Sequence, residues 1–252
     1  LSFRLLCIIA HPDDESAAFG GALLIAHRDG VETSLLCLTD GQAASNRGEA
    51  QDSAELGRMR RAELAAACEV LGVSSFEVLH YPDGELLRQN FYDLAGAIVE
   101  RVRSLRPHVI VTFGGDGGAN LHRDHTMVSM VSTAAFHWAG RAAYFPEQIE
   151  RGLQPYAPQK LYYDSAPFVR VGNQMCPSDP PTVPYSLSLE LGDLFKKKLE
   201  AFRKHTSQAK LLEGFGNAIL KRLTIERYLL AAAPGLIPVA QDKSLFDGVK
   251  PD

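Results

Sequence analysis

The chain has 252 residues, 46% of them hydrophobic and 22% charged, with a formal net charge of −4. This is the composition of a globular protein whose core is large enough to need no disulfides. The acidic balance argues against a nucleic-acid partner, and no run approaches the ~20 apolar residues that span a bilayer.

Phe3 to Ala10 is a continuous apolar run of strand length that stops at His11-Pro12-Asp13-Asp14. Residues 15–29 read as a helix, Glu32 to Leu38 as a second buried strand, and 51–72 as a helix closed by Gly72. Ser75 to His80 is a third strand leading into a Pro82-Asp83-Gly84 turn, 90–105 a helix, and Pro107 to Phe113 a fourth strand. A glycine-rich loop follows, then a helix over 123–139. Strands apolar on both faces and alternating with helices predict an α/β, Rossmann-like, doubly wound and mostly parallel sheet with helices on both faces. Residues 1–252 read as a single domain, with its core at about 3–140. The remainder, 141–252, is irregular: 160–164 suits a strand, the proline-rich 166–184 reads as a long loop forming a rim or lid, and 190–212 and 216–231 look helical.

Ligands of doubly wound sheets bind beyond the carboxyl ends of the strands. Two clusters fall there: His11, Asp13 and Asp14 after the first strand, and His122, Asp124 and His125 after the fourth. Imidazole plus carboxylate is a partial ligand set for zinc. One aspartate capping the next helix is the plain alternative, but it leaves the rest of His-Pro-Asp-Asp-Glu unexplained. Gly114-Gly115-Asp116-Gly117-Gly118 fails the G-x-G-x-x-G spacing and reads as a loop whose backbone passes close to the site. Cys7, Cys37, Cys68 and Cys176 have no CxxC spacing and read as reduced thiols of a cytoplasmic protein; a leader removed ahead of Leu1 would leave no trace.

Ala10-His11-Pro12-Asp13-Asp14-Glu15 and His122-Arg123-Asp124-His125 resemble the LmbE/PIG-L family of zinc-dependent N-deacetylases, with Arg123 where the family more often has proline. Arg60-x-x-Glu63, Asp83-Gly84 and Lys198…His205-x-Ser207-Gln208 extend the resemblance over roughly residues 3–210. It implies that His11, Asp14 and His125 hold Zn²⁺ (Fe²⁺ or Co²⁺ can substitute), with Asp13 as general base. His122 would stabilise the oxyanion, kept charged by Asp124, and Arg60 and Asp83 would contact substrate. His205 is placed at the rim of the site. The substrate implied is an N-acetylglucosamine-type small-molecule conjugate, and homo-oligomers are expected. A different zinc amidohydrolase, acting on a non-sugar or glycopeptide amide, and a non-catalytic zinc-binding protein remain the alternatives. Plainer roles stand beside three residues: a solvated arginine at 60, a turn aspartate at 83, and a helix-end cap at His205.

Overall fold

A computed structural model describes residues 2–164, 168–171, 174–177, 185–214, 216–233 and 241–251. In chain order the elements are β1 (Arg4–Ile9), α1 (Asp14–Ala17), α2 (Gly20–Arg28), β2 (Glu32–Thr39), α3 (Ser53–Leu71), β3 (Ser75–Tyr81), α4 (Phe91–Leu105), β4 (Val109–Phe113), α5 (Arg123–Trp138), α6 (Pro146–Glu150), β5 (Lys160–Asp164), β6 (Phe168–Val171), β7 (Gln174–Pro177), β8 (Leu187–Glu190), α7 (Leu194–Arg203), α8 (Ala209–Glu213), α9 (Asn217–Arg222) and β9 (Ile225–Ala232). Seven strands form one sheet in the order β3-β2-β1-β4-β5-β9-β8. The first five are parallel, and β9 and β8 join antiparallel.

The central strands are what their sequences demand. Leu5 to Ile9, Leu35 to Leu38 and Val109 to Val111 are buried, so neither face of these strands meets water. α2, α3 and α7 pack on one another, and α4 packs on α5, which lies against β4 and β1. The long helices stop where the sequence offers a stop. Asp52 caps α3 through the Glu55 N–H at 2.7 Å, and Gly72 ends it at φ 70°. β1 is flanked by β2 on one side and β4 on the other. The chain reverses its direction of travel across the sheet there, which opens a crevice beyond the carboxyl ends of β1 and β4.

Three expectations are corrected. The helix expected over 15–29 is two helices, because the buried Glu226 carboxylate accepts the N–H groups of Gly21 (2.6 Å) and Ala22 (2.8 Å) and starts α2 afresh. A Cβ on Gly21 would lie 2.3 Å from Leu191 Cδ2, so only glycine admits that approach. The helix expected over 216–231 ends at Arg222, and its second half is the strand β9. Glu226, Tyr228 and Leu230 alternate inward along β9, and the buried glutamate disguises the period-2 pattern. The helix expected over 190–212 is likewise broken, into α7 and α8, and β8 ends at its first residue. Within 166–184 a hairpin of β6 and β7 is present; the lid reading for the rest of that segment lies outside the described residues. No described helix is long and apolar enough to cross a membrane.

Candidate active site

The β1 chain end turns sharply at His11-Pro12-Asp13-Asp14 and starts α1 at Asp14. Asp13 takes φ 117° and ψ −25° there, a region that typically costs a non-glycine residue about 1–3 kcal/mol. The Arg60 guanidinium clamps the turn. Its Nη2 donates to Pro12 O and, at 3.0 Å, to Asp13 Oδ2, and its Nη1 donates to Gly41 O at 2.8 Å. A Cβ at Gly41 would fall 2.0 Å from Nη1, so this loop closes onto Arg60 only as glycine. The second cluster comes from α5. His122 is the helix N-cap, its Nδ1 accepting the Asp124 N–H at 3.1 Å. Arg123 is therefore the first helical residue, a position whose N–H has no intrahelical partner and where proline and arginine both fit.

These elements bring His11, Asp14 and His125 together. His11 Nδ1 lies 3.5 Å from Asp14 Oδ2 and 3.3 Å from His125 Nε2, and His125 Nε2 lies 3.1 Å from Asp14 Oδ1. A tetrahedral ion with ligand distances of about 2.0–2.2 Å needs donor–donor edges of about 3.3–3.6 Å. The two separations from His11 Nδ1, 3.3 and 3.5 Å, match these edges, and the closer 3.1 Å approach of His125 is to the other Asp14 oxygen. Both rings are also turned to present a free nitrogen. His125 Nδ1 donates to Gly117 O at 3.0 Å, and Phe113 stacks on the ring at 3.9 Å. His11 Nε2 donates to Asp83 Oδ1 at 3.0 Å and Asp124 Oδ2 at 3.3 Å. Occupying one imidazole nitrogen with a carbonyl or carboxylate fixes the tautomer that leaves the other for a metal. His122 also draws within 4.8 Å of His11 and His125. Its Nδ1 is already committed to the helix cap, so Asp14 is the better third donor.

Gly117 earns its place in the glycine-rich loop. Its φ is 97°, and a Cβ would lie 2.8 Å from His122 O; the backbone must pass this close to offer its carbonyl to His125. Charge is concentrated around the site. Burial works against protonating His11, yet Asp124, Asp14 and Asp83 hold it well above the usual histidine range, as they would draw in a metal cation. Burial also opposes ionising Asp14, but His125 and His11 hold it well below the carboxylate range. Asp13 differs. Burial, with Asp14 adding to it and Arg60 opposing, pushes it up to about 6, the range of a carboxylate that exchanges protons near neutrality.

The remaining expected residues take other places. Asp124 does not pair with the His122 ring. It is fully buried, with His11 and the N–H groups of Gly84 (2.7 Å) and Leu86 (3.2 Å) on its carboxylate. Burial lowers the His122 pKa, and His11 and His125 lower it further. Asp124 and Asp14 act on His122 in the opposite direction, and with its Nδ1 accepting the Asp124 N–H the ring has Nε2 left to donate. Asp83 accepts His11 Nε2 and the Ala43 N–H (2.8 Å) and supports the ligand. Arg60 is 3% exposed and is no solvated arginine. His205 is 1% exposed and pairs with Glu15 at 2.6 Å, behind the turn instead of at a rim. Glu63 and Glu15 carry contacts the sequence reading gave no role. Glu63 accepts Ser207 Oγ, Ser207 N–H and Thr206 Oγ1, each at 2.7 Å, and ties α3 to the His205–Gln208 turn. The Arg60-x-x-Glu63 spacing was the available signal: one helical turn separates the clamp from the tie.

The PIG-L family, described as GlcNAc-PI de-N-acetylase, matches residues 6–136. A 1D-myo-inositol 2-acetamido-2-deoxy-alpha-D-glucopyranoside deacetylase 2 of Saccharopolyspora erythraea is 31% identical, covering 97% of this chain and 100% of that one. The N,N'-diacetylchitobiose deacetylase of Pyrococcus horikoshii superposes with a TM-score of 0.69 at 23% identity, over 87% of this chain and 73% of that one. GalB, the 4-carboxy-2-hydroxymuconate hydratase of Pseudomonas putida, superposes with a TM-score of 0.71 at 18% identity, over 94% and 100%. The fold thus accommodates more than one reaction, and the activity has to be read from the site.

Proposed function

This chain belongs to the PIG-L, GlcNAc-PI de-N-acetylase, family, and we propose that it hydrolyses the acetamide of an N-acetylglucosamine-type small-molecule conjugate. The observation that carries this reading is the convergence of His11 Nδ1, His125 Nε2 and the Asp14 carboxylate, with contacts of 3.1–3.5 Å between them, and a further carboxylate, Asp13, next in the chain and outside the ligand set. A protein that only stored metal would have no use for that carboxylate in a strained conformation.

His11, Asp14 and His125 would hold the metal, and a set of two imidazoles and one carboxylate suits Zn²⁺. Bound zinc supplies a Lewis acid for the amide carbonyl and lowers the pKa of water to near 7. The chain supplies the rest. Asp13, with a pKa of about 6, takes a proton from the attacking water and delivers it to the departing nitrogen, so that the C–N bond breaks to a neutral amine and acetic acid, which passes its remaining proton to the amine or to water. Arg60 keeps the Asp13 carboxylate turned into the crevice. His122, its Nδ1 engaged by the Asp124 N–H, offers the Nε2 hydrogen to the oxygen on which negative charge develops. Asp83 and Asp124 orient His11 and stand behind the ligand set.

The substrate reading follows the relatives: one is a deacetylase of an acetamido-glucopyranoside of inositol and another of diacetylchitobiose. The reading also takes residues 1–252 as one catalytic domain, since the sheet draws strands from both halves of the chain. It takes the protein as cytoplasmic, supported by free, buried thiols at Cys7, Cys37 and Cys68. The test is amine release from N-acetylglucosamine, diacetylchitobiose and N-acetylglucosaminyl-inositol by zinc-loaded wild type and Asp13→Asn, with and without chelator. Wild type should turn over at least one of them, the chelator should abolish turnover, and Asp13→Asn should keep its zinc while losing about 10²–10⁴-fold in kcat. A zinc-loaded Asp13→Asn that remains active refutes the base assignment.

A further inference from the structure

Asp13 owes its conformation to more than the Arg60 clamp. At φ 117° it occupies a region that non-glycine residues seldom adopt and that persists only when the surroundings over-determine it. Arg60 holds the side chain and the preceding carbonyl. The Asp13 N–H, on the far side of the peptide, donates to Glu15 Oε2 at 2.9 Å. Glu15 is fully buried, and its other oxygen accepts Ser16 Oγ and pairs with His205 Nε2, both at 2.6 Å. His205 is itself buried, and its Nδ1 has no partner among the described residues, so Glu15 is what fixes the ring. An acidic residue serving only the start of a four-residue helix would be expected at the solvent edge. Here it is enclosed, and the chain brings a histidine from 190 positions away to lock it.

We propose that Glu15, locked by His205, is a positioning residue for Asp13: it anchors the strained peptide from behind while Arg60 anchors the carboxylate from the front. This rests on Asp13 being the base. Neither Glu15 nor His205 touches the substrate on this reading; both act through the Asp13 backbone.

The test uses the zinc-loaded enzyme and five variants: Glu15→Ala, Glu15→Gln, Asp13→Asn, Asp13→Asn/Glu15→Ala and Glu15→Ala/His205→Leu. Small misplacement of a reacting group costs up to about 10²-fold. Glu15→Ala should therefore lose about 10–100-fold in kcat, with KM and zinc content unchanged. Glu15→Gln, whose amide oxygen still accepts the Asp13 N–H, should recover most of the loss. Adding Glu15→Ala to Asp13→Asn should bring no further loss, because the effect runs through Asp13. Amide hydrogen exchange at Asp13, followed by NMR on the zinc-loaded protein, should be about tenfold faster in Glu15→Ala and unchanged in Glu15→Gln. Glu15→Ala/His205→Leu, which leaves no unpaired charge, gives the same kcat readout if the alanine variant alone does not fold. Wild-type kcat in either alanine variant, a loss explained entirely by missing zinc, or an additive double variant each overturns the inference. An active Asp13→Asn removes the base reading instead, and this inference with it.

Discussion

Replacing Asp124 by asparagine separates two roles that this residue can have. In the structure its Oδ2 accepts His11 Nε2 at 3.3 Å and the Gly84 N–H at 2.7 Å, and its Oδ1 accepts the Leu86 N–H at 3.2 Å. Asparagine keeps one oxygen. Placed at Oδ2, that oxygen retains His11 and Gly84 but sets an NH₂ against the Leu86 N–H; flipped, it sets the NH₂ against His11 and Gly84. Either way the negative charge behind the ligand is lost. Such partners of a metal-bound histidine are typically worth 10–100-fold in metal affinity, or about 1.4–2.7 kcal/mol. Asp83 still accepts His11 Nε2 at 3.0 Å, so we expect the lower end, about tenfold, for Asp124→Asn and about 100-fold for Asp83→Asn/Asp124→Asn. The assay is zinc transfer from the apoprotein to a chromophoric chelator of known affinity, with kcat measured separately at saturating zinc. Unchanged zinc affinity together with a displaced limb in the pH–rate profile would refute the reasoning. That outcome would return Asp124 to the His122 ring.

Two further predictions concern stability. Lys198 is 2% exposed and its Nζ lies 2.5 Å from Glu226. Lys198→Met leaves a buried carboxylate short of its cation, a loss of about 3–5 kcal/mol. At about 2–4 °C per kcal/mol for a chain of this size, calorimetry should record a fall of about 6–20 °C in Tm; a change within 2 °C would mean that the glutamate is served by Tyr228 and the α2 N–H groups alone. The second concerns pH. Burial works against charging His205, but Glu15, with Asp13 adding and Arg60 opposing, holds its pKa above the usual value. A raised folded-state pKa contributes stability that is fully present below the unfolded value of about 6.5 and fades as pH rises through the folded one. His205→Gln should therefore lower Tm more at pH 6 than at pH 9, and an equal loss at both would contradict the assigned pairing.

What the sequence decided by itself is the parallel half of the sheet and the chemistry at its edge. The apolar runs at 5–10, 35–38 and 109–111 have no stable place except inside a covered sheet. Polar residues that follow such strands at once must lie at the carboxyl edge, and His11, Asp14, His122 and His125 were legible as neighbours for that reason. The antiparallel half was not legible. β9 conceals its alternation because Glu226, a charged residue, faces inward, and only the arrival of Lys198, Tyr228 and the start of α2 makes its burial tolerable. Which carboxylate serves which imidazole was also beyond the sequence. Asp124 stands two residues from His122 yet turns its side chain to His11, 113 positions away, where the Gly84 and Leu86 N–H groups also meet its carboxylate. Spacing along the chain limits which groups can meet; the packing of α5 against β1 and the Asp83–Leu86 turn decides which of them do.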